Sequence, residues 1–389
     1  MSVKYETIVV GLGAMGSAAL YQLAGKGVKV LGIDRLSPPH TMGSTHGDTR
    51  ITRQAIGEGA HYTPLSLRSY ELIRELETRT KTALLQVTGG LIISNTTHAG
   101  AINHIEDFFG NTVAAAEKHG IRHEILDAPA MRTRFPQFNV ADDEVGYYEY
   151  EAAILRPEAV VKAQLELAGE TGADIHTNET FLGFEETSEG VIVCTDKGTY
   201  KAANLSLSVG PWVPQVMPQY ASLFEVHRQI QYWFDVSTNY ESFTPGTFPI
   251  FIWQLKGRES GMYGFPAVDG KNGGFKVGCE EYNTVVTPET IDRTASKEEI
   301  ERVYEYNIKP FFPMANDCCL KTAVCMYTVT ADSAFVIDFL PGSKRIVLCS
   351  PCSGHGFKHA AAIGESVAQM LMDGETELDL SPFKLRCTA

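Results

Sequence analysis

The stretch "YETIVVGLGAMGSAALYQLAGKGVKVLGID", residues 5–34, decides the fold. Its "TIVV" is a continuous apolar, β-branched run, the pattern of a parallel strand covered on both faces. Gly11, Gly13 and Gly16 follow at once as G-x-G-x-x-G. The first glycine permits a tight turn, the second a close approach of the backbone to a pyrophosphate, and the third close packing of helix on strand. "AALYQLA" supplies the helical face, Gly25 and Gly27 end it, and "VKVLGID" reads as a second strand. The helix N-terminus offers free N–H groups and the positive end of its dipole to phosphate. Asp34, 23 residues after Gly11, is placed to accept hydrogen bonds from ribose hydroxyls. A glycine triplet alone is weak. Flanked by strand and helix, with the acid in position, it predicts a Rossmann-type α/β domain that binds a dinucleotide.

The rest of the composition narrows the class. A length of 389 residues allows two or three domains at about 100–200 residues each. A net charge of −14 argues against a nucleic-acid partner, which selects basic faces. The sequence has no apolar run of about 18 residues, so no membrane span is expected. "MSVKYETIVV" lacks the features of a signal peptide, and "KLRCTA" matches no retention or lipidation signal. The eight cysteines (194, 279, 318, 319, 325, 349, 352 and 387) are therefore expected to be reduced thiols in the cytoplasm. "CSPC", 349–352, has the C-x-x-C spacing of redox and zinc sites, but no second ligand pair is suitably spaced, and metal is not expected.

The next stretch, "LSPPHTMGSTHGDTRITRQA" (36–55), has little periodicity. It carries a polar run from Ser44 through His46 to Thr49, together with Arg50 and Arg53. Such a loop can reach across a flavin and place cations above it; the plain alternative is a solvated loop with surface ion pairs. Downstream, "RPEAVVKAQLELAGETG" reads as a helix with Pro157 in its first turn. Strand-like "ADIHTNETFLGFEE", "GVIVCTD" and "NLSLSVGPWV" return the chain to the nucleotide domain. "FEVHRQIQYWFDV", "FPIFIWQL", "GMYGFPA" and "GGFKVGCEEY" read as an antiparallel sheet. There is no internal repeat.

Taken together, "PPHTMGSTHGDTRITR", "GMYGFPA", "FKVG", "AVCMYT" and "CSGHGFKHAA" resemble the monomeric sarcosine oxidase family of FAD amine oxidases. That family also holds N-methyltryptophan, pipecolate and fructosyl amino acid oxidases, and the resemblance runs from about residue 4 to about 385 in unchanged order. It implies a glutathione-reductase-like FAD domain assembled from residues 1–84, 155–222 and 323–389. A substrate domain on a large mixed, mainly antiparallel sheet would take 85–154 and 223–322. It further implies a monomer, a small amino-acid substrate, and O2 as electron acceptor.

The resemblance also assigns residues. Cys325, in "CMYT", matches the cysteine that forms a thioether to the flavin 8α-methyl; read alone, it is an ordinary buried thiol. Arg53 and Lys358 match the grip on the substrate carboxylate. Lys276 matches the lysine near flavin N5 credited with activating oxygen, and a lysine on an apolar strand is unusual in itself because an unpaired buried charge is costly. Arg50 and His46 match residues lining the flavin, in the loop with Ser44 and Thr49, and Tyr263 and Tyr327 match aromatics facing the substrate cavity. In "SGHGFK", Gly354, His355 and Gly356 would pack against the ring system, with Phe357 in the core.

Two positions depart from the sarcosine oxidase pattern. Glu280 stands four residues after Lys276, where sarcosine and N-methyltryptophan oxidases carry histidine, and Ile252 replaces an expected methionine. Glu280 should share a face with Lys276 and suit a substrate with hydroxyls or a second cation, as in fructosyl amino acid oxidases. The expected activity is FAD-dependent oxidation of an N-substituted amino acid, with sarcosine-like N-methyl amino acids first and fructosyl amino acids second. An NAD-linked dehydrogenase would have no use for Cys325 or "SGHGFK", and a flavin-binding protein without turnover is the rival from another class.

Overall fold

The computed structural model describes residues 4–95, 102, 105, 107–258 and 260–386; Cys387 lies outside the described residues. The motif read from the sequence forms as expected. Lys4–Val10 is a strand, Ala14–Gly25 a helix and Val30–Ile33 the next, parallel strand. They sit in the centre of an eight-stranded sheet. Thr199–Leu207 lies beside Lys4–Val10 on one side, and Asp174–His176 beyond Val30–Ile33 on the other. Both faces of this sheet are covered, which explains the unbroken apolar runs. Val9, Val30 and Val347 pack under Leu20, Leu23, Ile363 and Val367 of the helices Ala14–Gly25 and Ala360–Asp373. Ile8, Leu31, Leu205 and Leu348 pack against Val191, Val213 and Phe224 on the other side.

A second eight-stranded sheet runs in the spatial order Cys319–Val329, Glu225–Phe234, Phe275–Cys279, Met262–Phe265, Ile250–Trp253, Gly90–Asn95, Glu144–Glu149 and His123–Asp127. Only its Ile250–Trp253 and Gly90–Asn95 pair is parallel, so the sheet is mixed and mainly antiparallel. The expected boundary at 323 falls inside the strand Cys319–Val329, whose ladder with Glu225–Phe234 is continuous across that position. Cys325 and Tyr327 therefore stand on the second sheet, not on the nucleotide-binding part. A small third sheet, Arg50–Thr52, Ala153–Leu155 and Leu85–Val87, ties together the places where the chain passes between the two large ones.

Opposed residues of an antiparallel ladder share a face. The register pairs Ile252 with Tyr263, Tyr263 with Gly278, Phe265 with Lys276, Lys276 with Trp233, Gln229 with Cys325, and His227 with Tyr327. One face of the second sheet thus presents Ile252, Tyr263, Lys276, Cys325 and Tyr327 together. The other buries an aromatic core in which Phe138 stacks on Phe248 and Phe312 meets Phe251 and Phe275.

Candidate active site

A cavity of about 460 Å³ runs between the first sheet and the residue-bearing face of the second. Gly11 and Gly13 line one end, with Asp34 and Ser44. Gly11 has φ +84°, and a Cβ there would lie 2.4 Å from Ser208 O; a Cβ on Gly16 would lie 1.7 Å from Gly11 O. Glycine is therefore required at both for the turn and for helix packing. Gly16 does that work behind the wall and does not line the cavity. At Gly13, by contrast, a Cβ would meet only Thr45 Oγ1 at 3.8 Å, an ordinary contact, which leaves a cradle over the helix N-terminus. Asp34 accepts hydrogen bonds from Leu12 N (2.7 Å) and Leu36 N (2.8 Å). Burial raises its carboxyl above the usual range, against those two donors. Ser44 Oγ is buried with no partner among the described residues. An open phosphate cradle, an acid one strand away and an unspent hydroxyl fit a dinucleotide.

The other end is built from charge. Arg53, following the strand Arg50–Thr52, donates to Glu58 Oε2 at 2.5 Å. Lys358, in the short helical turn Phe357–His359, donates to Glu58 Oε1 at 2.8 Å and to His355 O at 2.8 Å. All three side chains line the cavity, with Arg53 3%, Lys358 6% and Glu58 9% exposed. Burial alone would raise the Glu58 carboxyl, but Arg53 and Lys358 hold it well below the usual range. Burial pulls Lys358 down to about 8, against the pull of Glu58. Glu58 was not singled out from the sequence; the only signal is an acid between two glycines in "IGEGAH". Within this cluster the two cations outnumber the one carboxylate, Glu58, that bonds both; Glu280, on the same wall, acts on Lys358 from further off.

Tyr263 and Tyr327 face each other across the wall, their hydroxyls 3.2 Å apart. Burial pushes Tyr263 up to about 12, so its hydroxyl is neutral; one tyrosine donates its O–H to the other, and both oxygens keep a lone pair that can accept. Ile252, Glu280 and Arg50 line the same space, as do Gly354, His355 and Gly356. Arg50 is held by Thr49 O and Ser44 O, both at 2.9 Å. His355 stacks on Phe335 with centroids 4.6 Å apart and bonds Ser333 O through Nε2 at 3.1 Å. Burial drops it to about 3, so the ring is neutral. Phe357, expected in the core, packs against it and also borders the cavity.

Besides Gly16, four expected site residues lie behind the wall instead of on it: His46, Thr49, Lys276 and Cys325. Lys276 is 2% exposed and donates to Gly47 O (2.6 Å), Thr49 O (2.9 Å) and Thr49 Oγ1 (3.1 Å), so it fastens the 44–50 loop from beneath. Burial, then the charge of Arg50, takes it well below the ordinary lysine range. His46 falls to about 4 through burial and the same two cations, Arg50 and Lys276. Cys325 is 1% exposed; burial raises its thiol, and Arg50 and Lys276 pull it back. Cys349 and Cys352 line the cavity, the described cysteines are free, and among the described residues no His, Cys, Asp and Glu cluster could hold a metal. Among the described residues no helix is long and apolar enough to cross a membrane.

Residues 6–370 match the model of the DAO family of FAD dependent oxidoreductases. The chain is 38% identical to a monomeric sarcosine oxidase of Streptomyces avermitilis, over 99% of this chain and 98% of the relative. It is 33% identical to an N-methyl-L-tryptophan oxidase of Citrobacter koseri, over 98% of each. Among solved structures, NikD, an unusual amino acid oxidase essential for nikkomycin biosynthesis, superposes with a TM-score of 0.82 at 22% identity, over 98% of this chain and 97% of the other, and shares the fold. The chain belongs to the monomeric sarcosine oxidase family of FAD-dependent oxidoreductases.

Proposed function

We propose that this FAD-dependent oxidoreductase oxidises an N-substituted amino acid, with sarcosine-like N-methyl amino acids as the first choice. O2 is reduced to H2O2 and the imine product hydrolyses. The observation that supports this reading most is the Arg53–Glu58–Lys358 cluster. Its two cations outnumber the one carboxylate bonded to them, which in a wall this buried suits a substrate carboxylate that arginine can take bidentately. The enzyme is proposed to act as a cytoplasmic monomer. Its FAD unit would comprise residues 1–84 and 155–222 and resume at about 330, after the strand Cys319–Val329; residues 85–154 and 223–329 would form the substrate unit.

FAD, when bound, supplies the two-electron acceptor for the C–H bond next to the substrate nitrogen. The chain does the rest. Gly11, Gly13, Asp34 and Ser44 would hold the dinucleotide, and Arg50 and the 354–356 segment would border its ring system. Arg53 and Lys358 fix the carboxylate, which places the amine near Tyr263 and Tyr327. Oxidation needs the nitrogen lone pair free, and two neutral tyrosine hydroxyls can accept from the amine without forcing it to stay protonated. Ile252 and Phe108 exclude water from that end. Lys276 and His46 are proposed to assist the reaction with oxygen from behind the wall, through the 44–50 loop. Cys325 is proposed to carry the flavin covalently.

Glu280 favours a second reading. It is 7% exposed on the cavity wall, and its charge acts on Lys358, Tyr263 and Tyr327. A carboxylate there suits hydroxyls or a second cation, as in a fructosyl amino acid. Peroxide release from sarcosine, N-methyltryptophan, pipecolate, fructosyl-glycine and fructosyl-valine decides between them. Turnover of the N-methyl compounds with silence on the fructosyl ones supports the first reading, and the reverse supports the second.

A further inference from the structure

The strand Glu225–Phe234 carries two glutamines on the cavity side of the second sheet, Gln229 and Gln231, 1% and 2% exposed. A buried amide is costly unless its dipole is used. Gln229 uses both ends: Oε1 accepts from Glu281 N at 3.2 Å and Nε2 donates to Glu281 O, fixing the backbone next to Glu280. Gln231 is different. Its Nε2 lies 3.8 Å from Cys325 Sγ, while Oε1 has no partner among the described residues.

The amide is held there by shape. Gly47 has φ +101°, and a Cβ on it would lie 2.1 Å from Gln231 Oε1. Gly47 is itself fastened, its N–H donating to Glu158 Oε1 at 2.7 Å and its carbonyl accepting from Lys276 at 2.6 Å. Gln231 thus lies between a loop fastened by hydrogen bonds and one sulfur atom.

We propose that Gln231 is a positioning residue for covalent attachment of the flavin to Cys325, its N–H aiming the sulfur and stabilising the thiolate. This rests on the thioether proposed above. In that reaction the S–H bond and one C–H bond of the flavin 8α-methyl break, and an S–C bond forms. Two electrons and two protons pass to the ring system, and O2 removes them as H2O2. The thiolate is the nucleophile. Arg50 and Lys276 favour it from a distance, whereas Gln231 is the donor in hydrogen-bond contact with the sulfur.

The test follows acid-stable flavin in the full-length chain over time after FAD is added, alongside total FAD binding read by fluorescence quenching. Gln231→Leu removes the donor; Gln231→Glu keeps the size and reverses the dipole's effect. Attachment at least tenfold slower in both, with FAD still bound, is the expected result. Wild-type attachment rates in the two variants overturn the proposal, and if Gln231→Leu binds no FAD, the isosteric Gln231→Glu decides. Wild-type protein that releases all its flavin in acid overturns the thioether itself, a separate and recognisable failure.

Discussion

The two faces of the second sheet are made by the same strands and read almost alternately, yet they do opposite work. Phe275 lies in the aromatic core against Phe312, while its neighbour Lys276 points the other way and fastens the 44–50 loop. Met326 is core, whereas Cys325 and Tyr327 belong to the site face. Alternation along a strand lets one short segment serve stability and chemistry at once, with little interference between them. On the core side, burial needs only shape and apolar area. On the site side, every buried polar atom needs a partner or a task, and the glutamines, the lysine and the thiol supply the tasks.

That contrast can be broken most forcefully at residues 275 and 276. Phe275→Ala should cost about 3–5 kcal/mol of stability, read as a fall in chemical-denaturation midpoint, with FAD still bound in the cold. Lys276→Met should lower that midpoint less, at a cost of about 1–3 kcal/mol for the acceptors it leaves unpaired, but slow reoxidation of the reduced enzyme by O2 by about 100-fold. Equal losses of stability in both would erase the distinction between the faces.

At the charged end, Lys358→Met leaves Glu58 with one cation. Substrate KM should rise by about 30-fold or more, since truncating one partner of a buried charge pair costs about 2–5 kcal/mol. The same lysine gives the site its pH dependence. With Lys358 near 8, its charge is present below that pH and lost above it, so binding of a simple carboxylate such as acetate should weaken as pH passes about 8. The effect should vanish in Lys358→Met. A flat acetate affinity from pH 6 to pH 10 in the wild type would remove Lys358 from the carboxylate grip. The smallest expected effect is at Glu280: Glu280→Gln should change the preference between hydroxylated and plain N-methyl substrates by about tenfold, the scale of one altered pocket contact. Unchanged ratios would make Glu280 part of the wall and nothing more.

The dinucleotide end was legible because its physics is local. A turn, a close backbone approach and an acid at the next strand end all fall within residues 5–34, so spacing alone reveals them. The charged end is assembled from residues 300 positions apart, as Glu58 and Lys358 are. Arg53 and Lys358 were visible through the family resemblance, but Glu58 was not, because a short acid between glycines looks like any turn. Gln229 and Gln231 were written in plain view in "HRQIQYW", as polar residues at alternate places flanking Ile230. Their meaning needed the register that sets them against Cys325 and Glu281. The expected boundary at 323 falls within the strand Cys319–Val329 for a related reason: a motif expected at the cofactor need not belong to the cofactor's own sheet.

The most direct test of the central claim compares each N-methyl amino acid with the same N-methyl amine lacking its carboxylate, by peroxide release at saturating oxygen. If Arg53, Glu58 and Lys358 grip that carboxylate, the amino acids turn over and the bare amines do not at comparable concentration. Equal turnover of both would contradict the account, because the cluster would then have no part in holding the substrate.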